Sequence, residues 1–426
     1  MDFDTIVKEQ REELERIEAT ENIIPRENTT VAENALKFPN VLAILGIRRC
    51  GKSVFSHLLA KAKNYGYANF DDERLLGVKT EDLNELLKSF YKLYGDVEII
   101  VLDEIQNVRG WELFVNRLRR TKKVILTGSN SHLLSGELAT HLTGRHIDVV
   151  LHPFSFREFL KFKKFKTATA YTTKEKAALL RLLEEYLQVG GFPEVQKFGK
   201  QIVSVIYEDV LTKDIILRHK IKKMEEIRKL AKYCINNTGQ EFSYSKTAKV
   251  LGVRHVSTVS KWANYLEEAF LIFKLERFSY KLKQQFLAPK KVYCTDSGII
   301  NTIDFKFSEN KGKIMENLVA IELKKRNNQE IYYWKDYLQH EVDFVIKKGN
   351  KIQQLIQVSY ANSHDDVKER EITALLKASK ALKCKKLLLI TWDYEAKEKT
   401  KNLEIQYTPL WKWLNESCGF EYHIQH

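Results

Sequence analysis

The chain has 426 residues, 44% of them hydrophobic and 30% charged, and 70 Lys and Arg against 56 Asp and Glu leave a formal net charge of +14. At roughly 100 to 200 residues per domain this length predicts two to four domains, each able to bury its own core. The low Pro and Gly content excludes long disordered linkers, runs such as Leu387 to Ile390 are too short to span a membrane, and five scattered cysteines (Cys50, Cys234, Cys294, Cys384, Cys418) exclude a disulfide framework and a zinc cluster.

Together with the charged first 20 residues, this predicts a protein that is neither secreted nor membrane-bound, in a reducing cytoplasm. Residues 1–30 read as a charged amphipathic helix with Phe3, Ile6, Val7, Leu14 and Ile17 on one side, closed by a break at Pro25 to Thr30. Over residues 31–155, short apolar runs alternate with helix-sized segments: Val41 to Leu45, Tyr67 to Phe70, Val97 to Leu102, Val124 to Thr127 and Ile147 to Leu151. That alternation predicts a buried parallel sheet in an α/β domain, with a cofactor site at the strand C-termini. Residues 156–230 turn to helical periodicity, as in Lys174 to Val189, which ends at Gly190-Gly-Phe-Pro193. Another helical block runs from Glu225 to Ala269, and a second α/β pattern begins near Val292.

The first α/β segment carries Gly46-Ile47-Arg48-Arg49-Cys50-Gly51-Lys52-Ser53, which satisfies G-x-x-x-x-G-K-[ST] between a strand and the helical Val54 to Lys63. The two glycines let the backbone curl so that successive N–H groups, through Val54, surround phosphates; Lys52 adds a point charge and Ser53 a hydroxyl for Mg²⁺. About 50 residues on, the apolar run to Leu102 ends in Asp103-Glu104, placing Asp103 for the Mg²⁺ shell and Glu104 to polarise an attacking water. Val124 to Thr127 ends in Gly128-Ser129-Asn130, where Ser129 or Asn130 positions water or senses the γ-phosphate, or the three residues form an ordinary turn. Arg145 is a candidate finger for developing phosphate charge, in cis or from a neighbouring subunit of a homo-oligomer, with a surface ion pair as the plain alternative. The absence of Asn-Lys-x-Asp favours ATP over GTP.

These stretches resemble a family of bacterial and archaeal AAA-type P-loop ATPases of the additional-strand, catalytic-glutamate class, whose C-terminal region is a restriction-endonuclease-like domain of unknown function. The resemblance rests on residues 46–53, Asn69-Phe-Asp-Asp72, Leu102 to Gln106, Leu126 to Asn130, Leu142-Thr143-Gly144-Arg145, Pro153 to Phe159, Gly190 to Glu194 and Lys291 to Gly298. It implies the nucleotide-binding and metal roles above for Lys52, Ser53, Asp103 and Glu104, a first sensor at Ser129 or Asn130, a finger at Arg145 and a second sensor at Arg218.

Between Leu211 and Lys290 there are 17 Lys and Arg against 7 Asp and Glu, so this stretch holds 10 of the 14 excess charges. That is the footprint of a phosphate-backbone binder, although solvated helix faces give the same count. Within residues 231–285, Ser245 to Gly252 and the spaced apolar residues Val256, Val259, Trp262, Leu266 and Phe270 outline a helix-turn-helix with a wing over Phe270 to Tyr280, a winged-helix-like domain. Its second helix presents Arg254, His255, Ser257, Thr258 and Lys261 to DNA, or serves as a connector or for protein contacts.

Residues 286–426 show helix-Glu316, strand-Asp343 and the strand Leu355 to Ser359, the order in which restriction-endonuclease-like folds build a Mg²⁺ site. Gln357 replaces the second acid and Ser359 the lysine, so a degenerate nuclease fold kept for binding is expected, unless Lys347 or Lys335 takes over the missing role. The leading expectation is a Mg²⁺-dependent ATPase controlling a DNA-binding or protein-binding C-terminal half. The alternatives are an ATP-regulated nuclease and a signalling ATPase with protein partners alone.

Overall fold

The computed structural model describes residues 2–131, 142, 144–303, 311–326, 329–400 and 403–416. Thr143 and Cys418 therefore lie outside the described residues. The apolar runs of the first α/β segment become β1 (Val41–Leu45), β2 (Tyr65–Asn69), β3 (Ile99–Asp103), β4 (Lys123–Gly128) and β5 (His146–Val150). They pair in parallel in the order β2-β3-β4-β1-β5. Every residue of β1 and β3 is buried, because helices cover both faces of a parallel sheet, and this is why the strands read as unbroken apolar runs. Leu42, Ile44 and Val101 point into one core and Ala43, Ile100 and Leu102 into the other, and each such aliphatic side chain contributes roughly 1.5–3 kcal/mol through burial. β4 is the additional strand inserted between the loop-bearing β1 and the acid-bearing β3. Parallel pairing aligns the C-terminal ends of β1, β3 and β4 along one edge, which gathers residues 46, 103 and 129.

The helix Phe3–Thr20 packs Phe3, Ile6 and Val7 into the second of these cores, and its Gln10 is tied to β2 by a bond from Nε2 to the Asn69 carbonyl at 3.1 Å. Past the sheet, Ser155 and Glu158 form a reciprocal capping box that starts the helix Phe156–Phe162, and Thr172 and Glu175 do the same for Thr173–Val189. Two motifs with no evident chemistry in the sequence meet here: the buried Asp296 accepts from Gly191 N at 2.7 Å and Gly298 N at 2.8 Å. Burial pushes the Asp296 carboxyl up to about 6. Lys325 Nζ donates to the carbonyls of Pro153 and Phe154 at 3.1 and 3.3 Å, so a polar joint fastens the first α/β segment to the C-terminal half.

From residue 224 the order is helix Met224–Asn236, β6 (Gln240–Phe242), helix Tyr244–Leu251, helix Val256–Glu268, β7 (Ile272–Arg277) and β8 (Lys290–Cys294). Then come β9 (Glu330–Lys335), β10 (Glu341–Lys348), β11 (Lys351–Val358), β12 (Lys386–Thr391), β13 (Ala396–Thr400) and β14 (Leu403–Pro409). All nine belong to one sheet, β13-β14-β12-β11-β10-β9-β7-β8-β6, which runs without interruption past residue 285. The expected wing over Phe270 to Tyr280 needs correction. Residues 272–277 are the interior strand β7, paired antiparallel with β8 and parallel with β9, because Ile272, Phe273 and Leu275 are buried on it. The projecting segment is 278–289, with Tyr280, Leu282, Phe286 and Leu287 exposed. Among the described residues no helix is long and apolar enough to cross a membrane.

Candidate functional site

The loop after β1 owes its shape to its glycines. Gly46 sits at φ 155°, where a Cβ would stand 2.1 Å from the Leu151 carbonyl oxygen, and Gly51 at φ 97° opens the helix Lys52–Ala60. Ile47 and Cys50 anchor the loop in the core, and Arg26 fixes it from outside by donating to the Cys50 carbonyl at 3.0 Å. Lys52 is buried, with Nζ on the carbonyls of Gly46 and Ile47 at 3.1 and 3.3 Å and 3.7 Å from Glu104. Burial works against its charge, and the surrounding negative groups, Glu104, Asp103 and Asp214 among them, more than offset this and raise it above the usual lysine range.

Asp103 closes β3 fully buried, accepting from the hydroxyls of Tyr67 at 2.6 Å and of Thr127. Burial, then the adjacent Glu104, pushes its carboxyl up. Two neighbouring buried acids beside the Ser53 hydroxyl form an oxygen donor set suited to a hard divalent cation, so Ser53 and Asp103 fit Mg²⁺. Glu104 adopts φ 54°, ψ 39°, the left-handed region that a non-glycine residue enters at a cost of about 1–3 kcal/mol. That conformation turns its carboxylate toward Lys52, Gln106 and Ser129, whose N–H and Oγ both lie 3.3 Å from Glu104 Oε2.

These groups open onto a cavity of 420 Å³ whose other end is apolar, lined by Ile17, Ile23, Leu58, Phe162, Pro193 and Phe198. The N-terminal segment thus supplies part of the wall, a contribution without a sequence motif.

The loop arginines reach the helical region. Arg49 pairs with Glu194 at 2.8 Å and with Asp209. Arg48 donates from Nε to Asp214 Oδ2 at 2.9 Å and from NH1 to Asp71 at 2.9 Å. Ser129 Oγ donates to Asp214 at 2.7 Å, and Arg218 lies 3.6 Å from the same carboxylate. Ser129 and Asn130 are both buried at the end of β4. Arg145 stands elsewhere: its carbonyl accepts from Val41 N at the start of β1, and its side chain is exposed near Asn116. Five strand residues at about 3.3 Å each separate it from the loop after β1, so Arg145 does not reach its own loop as a finger in cis and stands as an exposed surface arginine.

Of the DNA-facing candidates, Arg254, His255, Ser257 and Lys261 are exposed at and near the N-terminus of the helix Val256–Glu268, while Thr258 is half-buried. In the last segment, Glu316, Asp343 and Gln357 do come close: Asp343 N donates to Gln357 Oε1 at 3.3 Å and Val358 N to Asp343 at 3.0 Å, while Ser359 N donates to the Ile390 carbonyl at 2.9 Å. The cation among them is Lys291 of β8, which is 1% exposed and has Nζ 3.0 Å from Glu316, 2.7 Å from Glu341 and 3.4 Å from Asp343. Lys347 pairs with Glu330 and Lys335 with Glu241 and Glu341, so neither stands in the expected place. Burial, then Glu316, holds the Asp343 carboxyl well above the usual range. An acid favouring its proton, beside an ammonium group in the middle of the set, does not fit a divalent metal. Among the described residues no group of three or more His, Cys, Asp or Glu side chains is arranged to hold one.

Sheet order, glycine loop and buried Asp103–Glu104 pair define an AAA-type P-loop domain, and comparison with known proteins agrees. A family profile described as an AAA domain matches residues 39–160, and two described as domains of unknown function match 180–310 and 311–413. An uncharacterized protein of Methanocaldococcus jannaschii is 38% identical over 398 residues, which is 88% of each chain. An uncharacterized protein of Haemophilus influenzae is 29% identical over 393 residues, 87% of this chain and 94% of the relative. The chain belongs to this family of AAA-type P-loop proteins with C-terminal domains of unknown function. Among solved structures, the Walker-type ATPase of Pyrococcus abyssi is similar at 16% identity and a TM-score of 0.45, over 67% of this chain and 97% of that one.

Proposed function

We propose that the protein is a Mg²⁺-dependent ATPase whose nucleotide state controls a DNA-binding C-terminal half. The observation that carries this reading is the buried Asp103–Glu104 pair facing Lys52 across the curled loop. In this reading the amides of residues 46 to 54 and the N-terminus of the helix Lys52–Ala60 hold the phosphates, and Lys52 balances their charge. The apolar end of the cavity takes the adenine base. Glu104 orients a water and accepts its proton as the water attacks the terminal phosphate, with Ser129 or Asn130 aligning it. Ser53 and Asp103 would hold Mg²⁺, which would supply charge neutralisation when bound. Arg145, exposed and remote from its own loop, would complete the site of an adjacent subunit in a homo-oligomer.

For the C-terminal half, the order helix, strand, two helices and a hairpin with a projecting loop is that of a winged-helix module. Exposed Arg254, His255, Ser257 and Lys261 on its third helix, with Lys281 and Lys283 on the projecting 278–289 segment, supply the positive face a duplex requires. Lys291 seated among Glu316, Glu341 and Asp343 supports a nuclease-like fold retained without hydrolysis.

The test is nucleotide binding and ATP turnover by Lys52→Ala. Loss of a buried ammonium group from the phosphate site should lower turnover at least 100-fold. Turnover within threefold of wild type would overturn the site assignment.

A further inference from the structure

Asp214, to which the sequence assigns no role, is a heavily used carboxylate beside the loop. It is 1% exposed and lies on a π-helical segment, Val210–Leu217, a distortion that recurs at functional sites. Its Oδ2 accepts from Arg48 Nε at 2.9 Å; its Oδ1 accepts from Ser129 Oγ at 2.7 Å and Arg48 NH2 at 3.3 Å. Both donors adjoin Glu104 and the loop, Arg48 from the cavity wall and Ser129 from the buried end of β4. Arg48 lines the 420 Å³ cavity together with Lys52 and Glu104, and Ser129 touches Glu104 through its N–H and its Oγ.

We propose that Asp214 competes with the terminal phosphate of ATP for the Arg48 guanidinium and the Ser129 hydroxyl, and so sets how strongly the site distinguishes ATP from ADP. The inference rests on the ATPase reading and deepens it. A hydroxyl has one proton to give, and at 2.7 Å that of Ser129 is committed to Asp214. A guanidinium presents its fork equally well to a carboxylate or a phosphate, so a phosphate carrying more charge draws both donors away. ADP lacks that group and leaves the Asp214 contacts intact. Arg218, one turn along the same segment and 3.6 Å away, keeps the released carboxylate paired. Six residues, 218–223, link the segment to the helix Met224–Asn236, which gives exchange at Asp214 a path along the chain toward the basic face.

The experiment is the ratio of ATP to ADP affinity, measured by displacement of a fluorescent ADP in Mg²⁺, for the full chain and its Asp214→Asn and Arg48→Ala variants. The neutral amide is the weaker competitor, so Asp214→Asn should tighten ATP about tenfold and leave ADP unchanged. Arg48→Ala should weaken ATP selectively, and Asp214→Asn added to it should recover little. An Asp214→Asn ratio equal to or below that of wild type would overturn the proposal. Should that variant not fold, Arg48→Ala decides: equal losses for ATP and ADP overturn the role. If the wild-type chain binds neither nucleotide, it is the ATPase reading that fails.

Discussion

At the residue scale, the site is a balance of buried charges. Lys52, Asp103, Glu104, Arg48 and Asp214 all lie beside the loop, and each is held by specific partners because an unpaired buried charge is costly. Lys291 shows the same principle without a ligand: its ammonium group satisfies Glu316, Glu341 and Asp343, and Tyr293 adds a hydroxyl to Glu316 at 2.7 Å. Replacing it by Met leaves buried carboxylates uncompensated. Lys291→Met is expected to lose about 3–5 kcal/mol in urea unfolding at pH 7. A loss under 1 kcal/mol would show that the cluster is not held together by this cation. The signatures of these residues in the sequence differed greatly. Lys52, Ser53, Asp103 and Glu104 were legible because loop and strand end are contiguous and their spacing is set by backbone curl. The roles of Asp214 and Lys291 were not, because each meets its partners only through long-range packing; Lys291 opened a stretch that carried the family resemblance, but nothing local assigned its ammonium group to Glu316, Glu341 and Asp343.

At the element scale, continuous apolar runs in β1, β3 and β4 carried the parallel sheet, since burial on both faces leaves an unambiguous pattern, whereas the edge strand β5 is only partly buried. The second sheet was harder to read. β7 looks like a wing from its charged end at Glu276 and Arg277, and its interior position depends on pairing with β9, some 55 residues on. The helix Val256–Glu268 buries Val259, Trp262 and Leu266 and leaves Lys261 outward, with Arg254 exposed just before its start. If these side chains contact phosphates, Arg254→Ala with Lys261→Ala will weaken duplex binding across sequences. The slope of log affinity against log salt should fall by about one unit per lost contact. An unchanged slope would remove this helix from the interface.

At the scale of the whole molecule, the two halves share one polar joint. Asp296 clasps Gly191 and Gly298, Lys325 holds the carbonyls of Pro153 and Phe154, and Arg26 runs from the Cys50 carbonyl in the loop to Glu158 at 3.0 Å. Motifs at 153–159, 190–194 and 291–298 that carried a family resemblance without chemistry thus meet at these contacts between the P-loop half and the C-terminal half. The most direct test of the central claim is steady-state ATP turnover in Mg²⁺, with and without duplex DNA, for the wild-type chain and for Glu104→Gln. The amide retains the shape of the side chain but cannot take the water's proton, so the variant should bind ATP as wild type does, turn over at least 100-fold more slowly, and show no response to DNA where the wild-type rate changes. Wild-type turnover by Glu104→Gln would contradict the account.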